Sequence, residues 1–216
     1  MNFLGEVDMS SEIIYAISAL FGYFIGSVPF GLILTRMAGY GDIRKIGSGN
    51  IGATNVLRTG NKTLALLTVL CDALKAGVAA FIARKVFVGD ASVMASLIAG
   101  SFGVLGHNFP IWLKFKGGKG VASTFGFILM TCWPVALIAL AIWLVMAFTF
   151  KYSSLSALVA SACVPLISYF YAPSIEYTYV YSAIVALVIV RHHANIKRLL
   201  KGEESKIKLK KEEKSE

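Results

Sequence analysis

Three short polar segments interrupt an apolar chain, and each carries residue types that bind anions. The first is Asp42–Arg58, DIRKIGSGNIGATNVLR. Its Gly47, Gly49 and Gly52 have the G-x-G-x-x-G spacing of a dinucleotide-binding turn, which requires a β-strand before it. What precedes it is IIYAISALFGYFIGSVPFGLILTRM, a membrane-type helix. The acidic residue such a turn needs about 20 positions on would be Asp72. Lys75 follows it at i+3 on the same helix face, so an intramembrane ion pair suits Asp72 better than a ribose contact. The glycines have another use: they let backbone N–H groups turn towards phosphate oxygens. Ser48, Asn50, Thr54 and Asn55 add neutral donors. A helix beginning near Gly52 would set Thr54 and Arg58 one turn apart above its N-terminus. The competing reading is a hydrated loop with a helix cap.

The second segment is HNFPIWLKFKGGKGVAS, His107 to Ser123. Gly117, Gly118 and Gly120 surround Lys119 directly before a helix, which brings flexible N–H groups, a helix N-terminus and an ammonium together for phosphate. It is not a Walker A loop, because Leu113 and Gly120 stand where that motif needs Gly and Ser or Thr. The alternative is an ordinary basic loop. The third segment is RHHANIKRLLKGEE, Arg191 to Glu204. His192 and Asn195 share a helix face, Gly202 suits a C-cap, and Lys197, Arg198 and Lys201 favour a helix C-terminus. A basic membrane-exit helix would look the same.

No metal or cofactor is expected. The three histidines, His107, His192 and His193, have no H-E-x-x-H spacing or clustered carboxylates around them. A Ser48/His192 nucleophile pair lacks an orienting carboxylate.

The elements that must hold these segments are membrane helices. Hydrophobic residues make up 56% of the 216, charged residues 15%, and mean hydropathy is +0.70. The usual soluble values are about 45–50% and about 25%. The sequence predicts an all-α, polytopic integral membrane protein with about seven transmembrane helices, near 12–37, 63–87, 92–109, 119–131, 133–150, 154–172 and 178–200; the fourth is short for a span and reads equally as a half-helix or as part of the fifth, so the count is five to seven. Residues 1–200 read as one transmembrane domain and 201–216 as a charged cytoplasmic tail, either solvated or touching anionic headgroups. Residues 1–11 carry Glu6 and Asp8 but no basic residue, so the first helix reads as a retained span rather than a signal peptide. Cys71, Cys132 and Cys163 sit far apart in apolar runs and read as unpaired.

The net charge of +9 does not point to nucleic acid, because the cations lie in short loops and the tail. Of 21 Lys and Arg residues, 18 fall on alternate loops or from Arg191 onward; Lys75, Arg84 and Lys85 are the exceptions. The positive-inside rule then sets the N-terminus outside and the C-terminus in the cytoplasm. All three polar segments fall on the cytoplasmic side. Their shared donor chemistry points to a phosphorylated ligand at a membrane surface.

At these residues the chain resembles the bacterial acyl-phosphate-dependent glycerol-3-phosphate acyltransferases of the PlsY type. The matching stretches are GSVPFG at 26–31, DIRKIGSGNIGATNVLR at 42–58, HNFP at 107–110, FKGGKGVA at 115–122 and RHHANIKRLLKGEE at 191–204. His193 departs from the family's usual Arg or Lys. The resemblance implies transfer of an acyl chain from acyl phosphate to the 1-hydroxyl of glycerol 3-phosphate, giving lysophosphatidate and phosphate. This is the first acylation of phospholipid synthesis, at the cytoplasmic face of the bacterial inner membrane, and it needs neither metal nor acyl-CoA. It also implies roles. Ser48, Thr54, Asn55 and Arg58, with Gly47, Gly49 and Asn50, would hold phosphate and polarise the acyl carbonyl. Lys119 with Gly117, Gly118 and Gly120 would bind phosphate. His192 and Asn195 would position glycerol 3-phosphate, with Ser154 as a further polar contact. The alternative is a transporter of a small phosphorylated anion.

Overall fold

The computed structural model describes residues 10–207 and, among them, only helices, turns and loops. Glu6, Asp8 and the cations from Lys208 on lie outside the described residues. The chain divides into two compact units, the first ending at Thr131 and the second starting at Cys132.

In the first unit, α1 (Ser11–Gly26) and α2 (Phe30–Met37) occupy the span expected as one helix. The break falls at Ser27–Val28–Pro29, where proline has no N–H to continue the ladder. A four-residue helix, α3 (Ala53–Val56), runs into a 3₁₀ turn at Leu57–Thr59. Then come α4 (Lys62–Val86), α5 (Ala91–Asn108) and α6 (Val121–Thr131). The Asn61 side chain caps α4 by accepting the Leu64 N–H at 2.9 Å. Small residues set the packing. A Cβ on Gly22 would lie 2.1 Å from the Ala99 carbonyl oxygen, and one on Gly26 2.0 Å from that of Gly103. This i, i+4 glycine pair lets α1 touch the backbone of α5, as membrane helices do where apolar surface alone gives no drive to associate.

The second unit holds α7 (Trp133–Phe150), α8 (Ser153–Tyr171), α9 (Ile175–Arg191) and α10 (His193–Leu200). The helix expected over 178–200 is two, bent by 57° at His192. Along α7, Trp133, Leu137, Leu144, Val145 and Phe148 are exposed, a face suited to lipid rather than water.

Of the seven expected crossings, four among the described residues are long and apolar enough to span a membrane: Ser11–Met37, α4, α7 and α8. Counting bent α9–α10 as one span makes five. Two expected crossings fall short for physical reasons. The 11 residues of α6 rise only about 16 Å. α5 buries serines, glycines, His107 and Asn108, which dilute its apolar character.

Candidate functional site

The first polar segment is a loop organised by Asn55, which is 1% exposed. Its Nδ2 lies within hydrogen-bond distance of the carbonyls of Ile43 (3.0 Å), Ile46 (3.0 Å) and Asn50 (2.8 Å). Its Oδ1 accepts from the Ser48 N–H at 3.0 Å and the Ser48 hydroxyl at 3.3 Å. Asn55 thus fixes the loop and with it Ser48, which is exposed. Asn50 Oδ1 accepts the Gly52 N–H at 3.1 Å and sets up the start of α3. The helix expected near Gly52 therefore exists, but four residues give it little dipole.

Gly47 is required twice over. Its φ is +57°, and a Cβ would lie 2.4 Å from Arg58 Cδ and 2.6 Å from Asn55 Oδ1. The Arg58 side chain thus lies across Gly47, beside Ser48. Gly49, at φ +70°, turns the chain next to it, and Thr54 and Arg58 are exposed. Two neighbouring cations, Arg36 and Arg44, are occupied. Asp42 holds Arg44 through its Nε at 2.9 Å and Nη2 at 2.5 Å, and Arg36 Nη2 at 3.3 Å. The hydrogen-bonded Arg44 guanidinium keeps the Asp42 carboxyl well below the usual carboxylate range.

The second segment folds back on the end of α5. Gly117 N–H donates to the Asn108 carbonyl at 3.2 Å and Gly118 N–H to that of His107 at 3.0 Å. A Cβ on Gly118 would strike the His107 ring, 1.9 Å from Nε2. Gly120 has φ +86° and abuts the Asn108 side chain. These glycines serve close approach, and they place half-buried Lys119 just before α6. The intervening strap is pinned to α1 and the break after it. Tyr23 OH donates to the Phe109 carbonyl and Trp112 Nε1 to Ser27 Oγ, both at 2.8 Å. The Asn108 amide is fully buried, with neither its oxygen nor its nitrogen hydrogen-bonded among the described residues.

The Asp72–Lys75 pair expected from sequence is present, 2.9 Å apart. His107 Nδ1 lies 3.5 Å from the same carboxylate oxygen. Nothing in the linear sequence joins His107 to Asp72.

In the second unit, His192 is buried at the α9–α10 bend. Its Nδ1 lies 2.7 Å from the Val188 carbonyl, so Nδ1 carries a proton and Nε2 is the ring's other edge. Asn195 and Ser154 meet on a residue that sequence reasoning did not single out. Glu204 Oε1 accepts from Asn195 Nδ2 at 2.8 Å and from Ser154 Oγ at 2.9 Å, while Oε2 accepts Arg198 Nε at 2.7 Å. Gly202, at φ +71°, turns the chain after α10 as its C-cap role requires. Ile207 N–H reaches the Lys151 carbonyl at 2.6 Å. Residues 204–207 are therefore tied to the α7–α8 corner. Burial opposes ionisation of Glu204, but hydrogen bonds from Asn195, Arg198 and Ser154 outweigh it and hold its carboxyl below the ordinary range.

Comparison with known proteins covers nearly the whole chain. The family model described as glycerol-3-phosphate acyltransferase matches residues 16–202. A glycerol-3-phosphate acyltransferase of Rhodospirillum rubrum is 53% identical over 203 residues, 92% of this chain and 94% of the relative. One from Mesorhizobium japonicum is 56% identical over 192 residues, 88% and 95% of the two chains. The crystal structure of PlsY, an integral membrane glycerol 3-phosphate acyltransferase in its glycerol 3-phosphate form, superposes with a TM-score of 0.83 at 34% identity, covering 90% of this chain and 96% of that one.

Proposed function

The chain belongs to the glycerol-3-phosphate acyltransferase family, and from that premise we propose its finer reaction: transfer of a fatty acyl group from acyl phosphate to the 1-hydroxyl of sn-glycerol 3-phosphate. The observation that carries this reading is that the family match, residues 16–202, takes in the first two polar segments and the third as far as Gly202, with their phosphate-type donors. The hydroxyl oxygen attacks the acyl carbonyl carbon, the bond from that carbon to the phosphate oxygen breaks, and inorganic phosphate leaves. The hydroxyl proton passes to the phosphate of glycerol 3-phosphate itself. An acyl phosphate is already activated, so the protein contributes orientation and charge stabilisation.

In this reading Ser48 and Arg58 hold phosphate and polarise the acyl carbonyl, helped by Gly47, Gly49, Asn50 and Thr54. Asn55 supports them by fixing the loop. Lys119 and the N–H groups around Gly117, Gly118 and Gly120 bind phosphate. His192, Asn195 and Ser154 orient glycerol 3-phosphate. The transmembrane domain is residues 1–200, and the charged tail 201–216 returns Glu204 to Asn195 and Ser154. Seven embedded helices follow if α5 and α6 join the bent pair and the four long spans. The N-terminus is then outside, and the polar segments face the cytoplasm at the inner membrane, as the Lys/Arg distribution supports.

The test is purified full-length protein in detergent, given acyl phosphate and labelled glycerol 3-phosphate. Equal amounts of 1-acylglycerol 3-phosphate and phosphate are expected. Uptake into proteoliposomes without product would favour an anion transporter. An acyl-enzyme trapped on Ser48 would overturn direct transfer.

A further inference from the structure

Beneath the Gly117–Gly120 turn lies a buried set of charges that acyl transfer does not use. Asp72 and Lys75 on α4 pair at 2.9 Å, with side chains 4% and 2% exposed. Lys75 Nζ also donates to the Val28 carbonyl at 3.0 Å, in the break between α1 and α2. His107 presents Nδ1 to Asp72 at 3.5 Å, and Ser123 of α6 donates to the Asp72 carbonyl at 2.8 Å. A buried ion pair contributes little net stability, because desolvation offsets its attraction, and its best-attested use is to fix one arrangement.

The arrangement fixed here includes the turn. One edge of the His107 ring faces Asp72, while its Nε2 side lies against Gly118, where a Cβ would come within 1.9 Å. The His107 carbonyl accepts the Gly118 N–H at 3.0 Å. The turn is thus attached to His107 through both ring and main chain, and the other edge of the ring lies 3.5 Å from the Asp72 carboxylate. We propose that Asp72 and His107 form a positioning couple that sets the Gly117–Gly120 turn, and Lys119 within it, for phosphate binding, with Lys75 balancing the Asp72 charge. This rests on the reading of that turn as a phosphate site. His107 is a positioning residue, because Gly118 covers its ring.

The test compares His107→Asn with His107→Gln in the full-length protein in detergent. Asn keeps an N–H donor near the place of Nδ1, whereas Gln moves it to the place of Nε2. His107→Asn should keep a near-normal KM for both phosphate substrates. His107→Gln should raise KM for one of them by about tenfold or more, with kcat changed less than about threefold. In an Asp72→Asn background the difference between the two should vanish, because the donor has lost its carboxylate. Equal KM values in the two His107 variants, or a fall in kcat alone, would overturn the proposal. Should Asp72→Asn not fold, the Asn/Gln contrast decides by itself. If the wild-type chain makes no acylglycerol phosphate, the functional reading fails, and calorimetric titration with inorganic phosphate tests the couple separately. Binding about tenfold weaker in His107→Gln than in His107→Asn still supports it; equal affinities, or no binding even by the wild type, overturn it.

Discussion

Asn195 and Glu204 are joined by a 2.8 Å hydrogen bond across the end of α10, and the same carboxylate oxygen also receives Ser154 from the start of α8. One carboxylate therefore aligns two expected substrate contacts, and its other oxygen takes Arg198. Replacing it leaves several donors competing for fewer acceptors, at about 1–3 kcal/mol for each buried group left unpaired. Glu204→Gln should lower the thermal unfolding midpoint in detergent and cut kcat/KM about tenfold or more. A variant matching wild type in both would show that the clamp aligns nothing.

The same clamp gives a pH signature. The folded-state pKa of Glu204 lies below its ordinary value of 4.5. Its stabilising contribution is then complete above about 4.5 and is lost as pH falls through the lower folded value. The gap in unfolding midpoint between wild type and Glu204→Gln should be constant from pH 8 to about 5 and close at lower pH. Unfolding scans over that range check it; a gap that widened on acidification would contradict the assignment.

How much of this was legible in sequence depended on the range of the interaction. Hydropathy located α7 to the residue, because its signal is local. The Asp72–Lys75 pair was readable from i, i+3 spacing alone. The break at Pro29 was not, because Ser27–Val28–Pro29 sits in an apolar run that hydropathy reads as continuous. α5 and α6 read as crossings, but their polar and small residues and the shortness of α6 leave them below the length and apolar character of the four long spans. The proposed site residues could be named from their types, but the groups that hold them could not. Glu204 lay in a charge run that reads as a solvated tail, and its partner Ser154 is 50 residues away. His107 meets Asp72 only once α4 and α5 have packed.

Charge at the two segments proposed to bind phosphate should dominate activity. Hydrogen bonds to charged groups contribute about 1.5–3 kcal/mol each, or roughly 10- to 150-fold in rate. Arg58→Ala and Lys119→Ala should each lose that much kcat/KM, whereas Lys208→Ala should stay within about twofold. Steady-state assays at fixed ionic strength decide it, and equal losses in all three would refute the site assignment.

Orientation can be read chemically. After Cys71, Cys132 and Cys163 are changed to Ala, a cysteine replacing exposed Lys45 should react with a membrane-impermeant maleimide only in inside-out vesicles or opened cells. Labelling in intact cells would reverse the proposed topology.

Gly47 and Gly39 separate backbone strain from site geometry. Both are left-handed, at φ +57° and +81°, so alanine at either costs about 1–2 kcal/mol of conformational strain. At Gly39 a Cβ meets nothing within 4 Å, but at Gly47 it would displace the Arg58 side chain and press on the Asn55 oxygen that holds Ser48. Gly39→Ala should therefore lower the unfolding midpoint slightly and leave kcat/KM within about twofold. Gly47→Ala should lose about 100-fold in kcat/KM, the effect of moving positioned groups by about 1 Å. Measuring midpoint and kinetics on both variants separates the two effects. Equal kinetic losses would mean that strain, and not the lie of Arg58 across Gly47, accounts for the glycine.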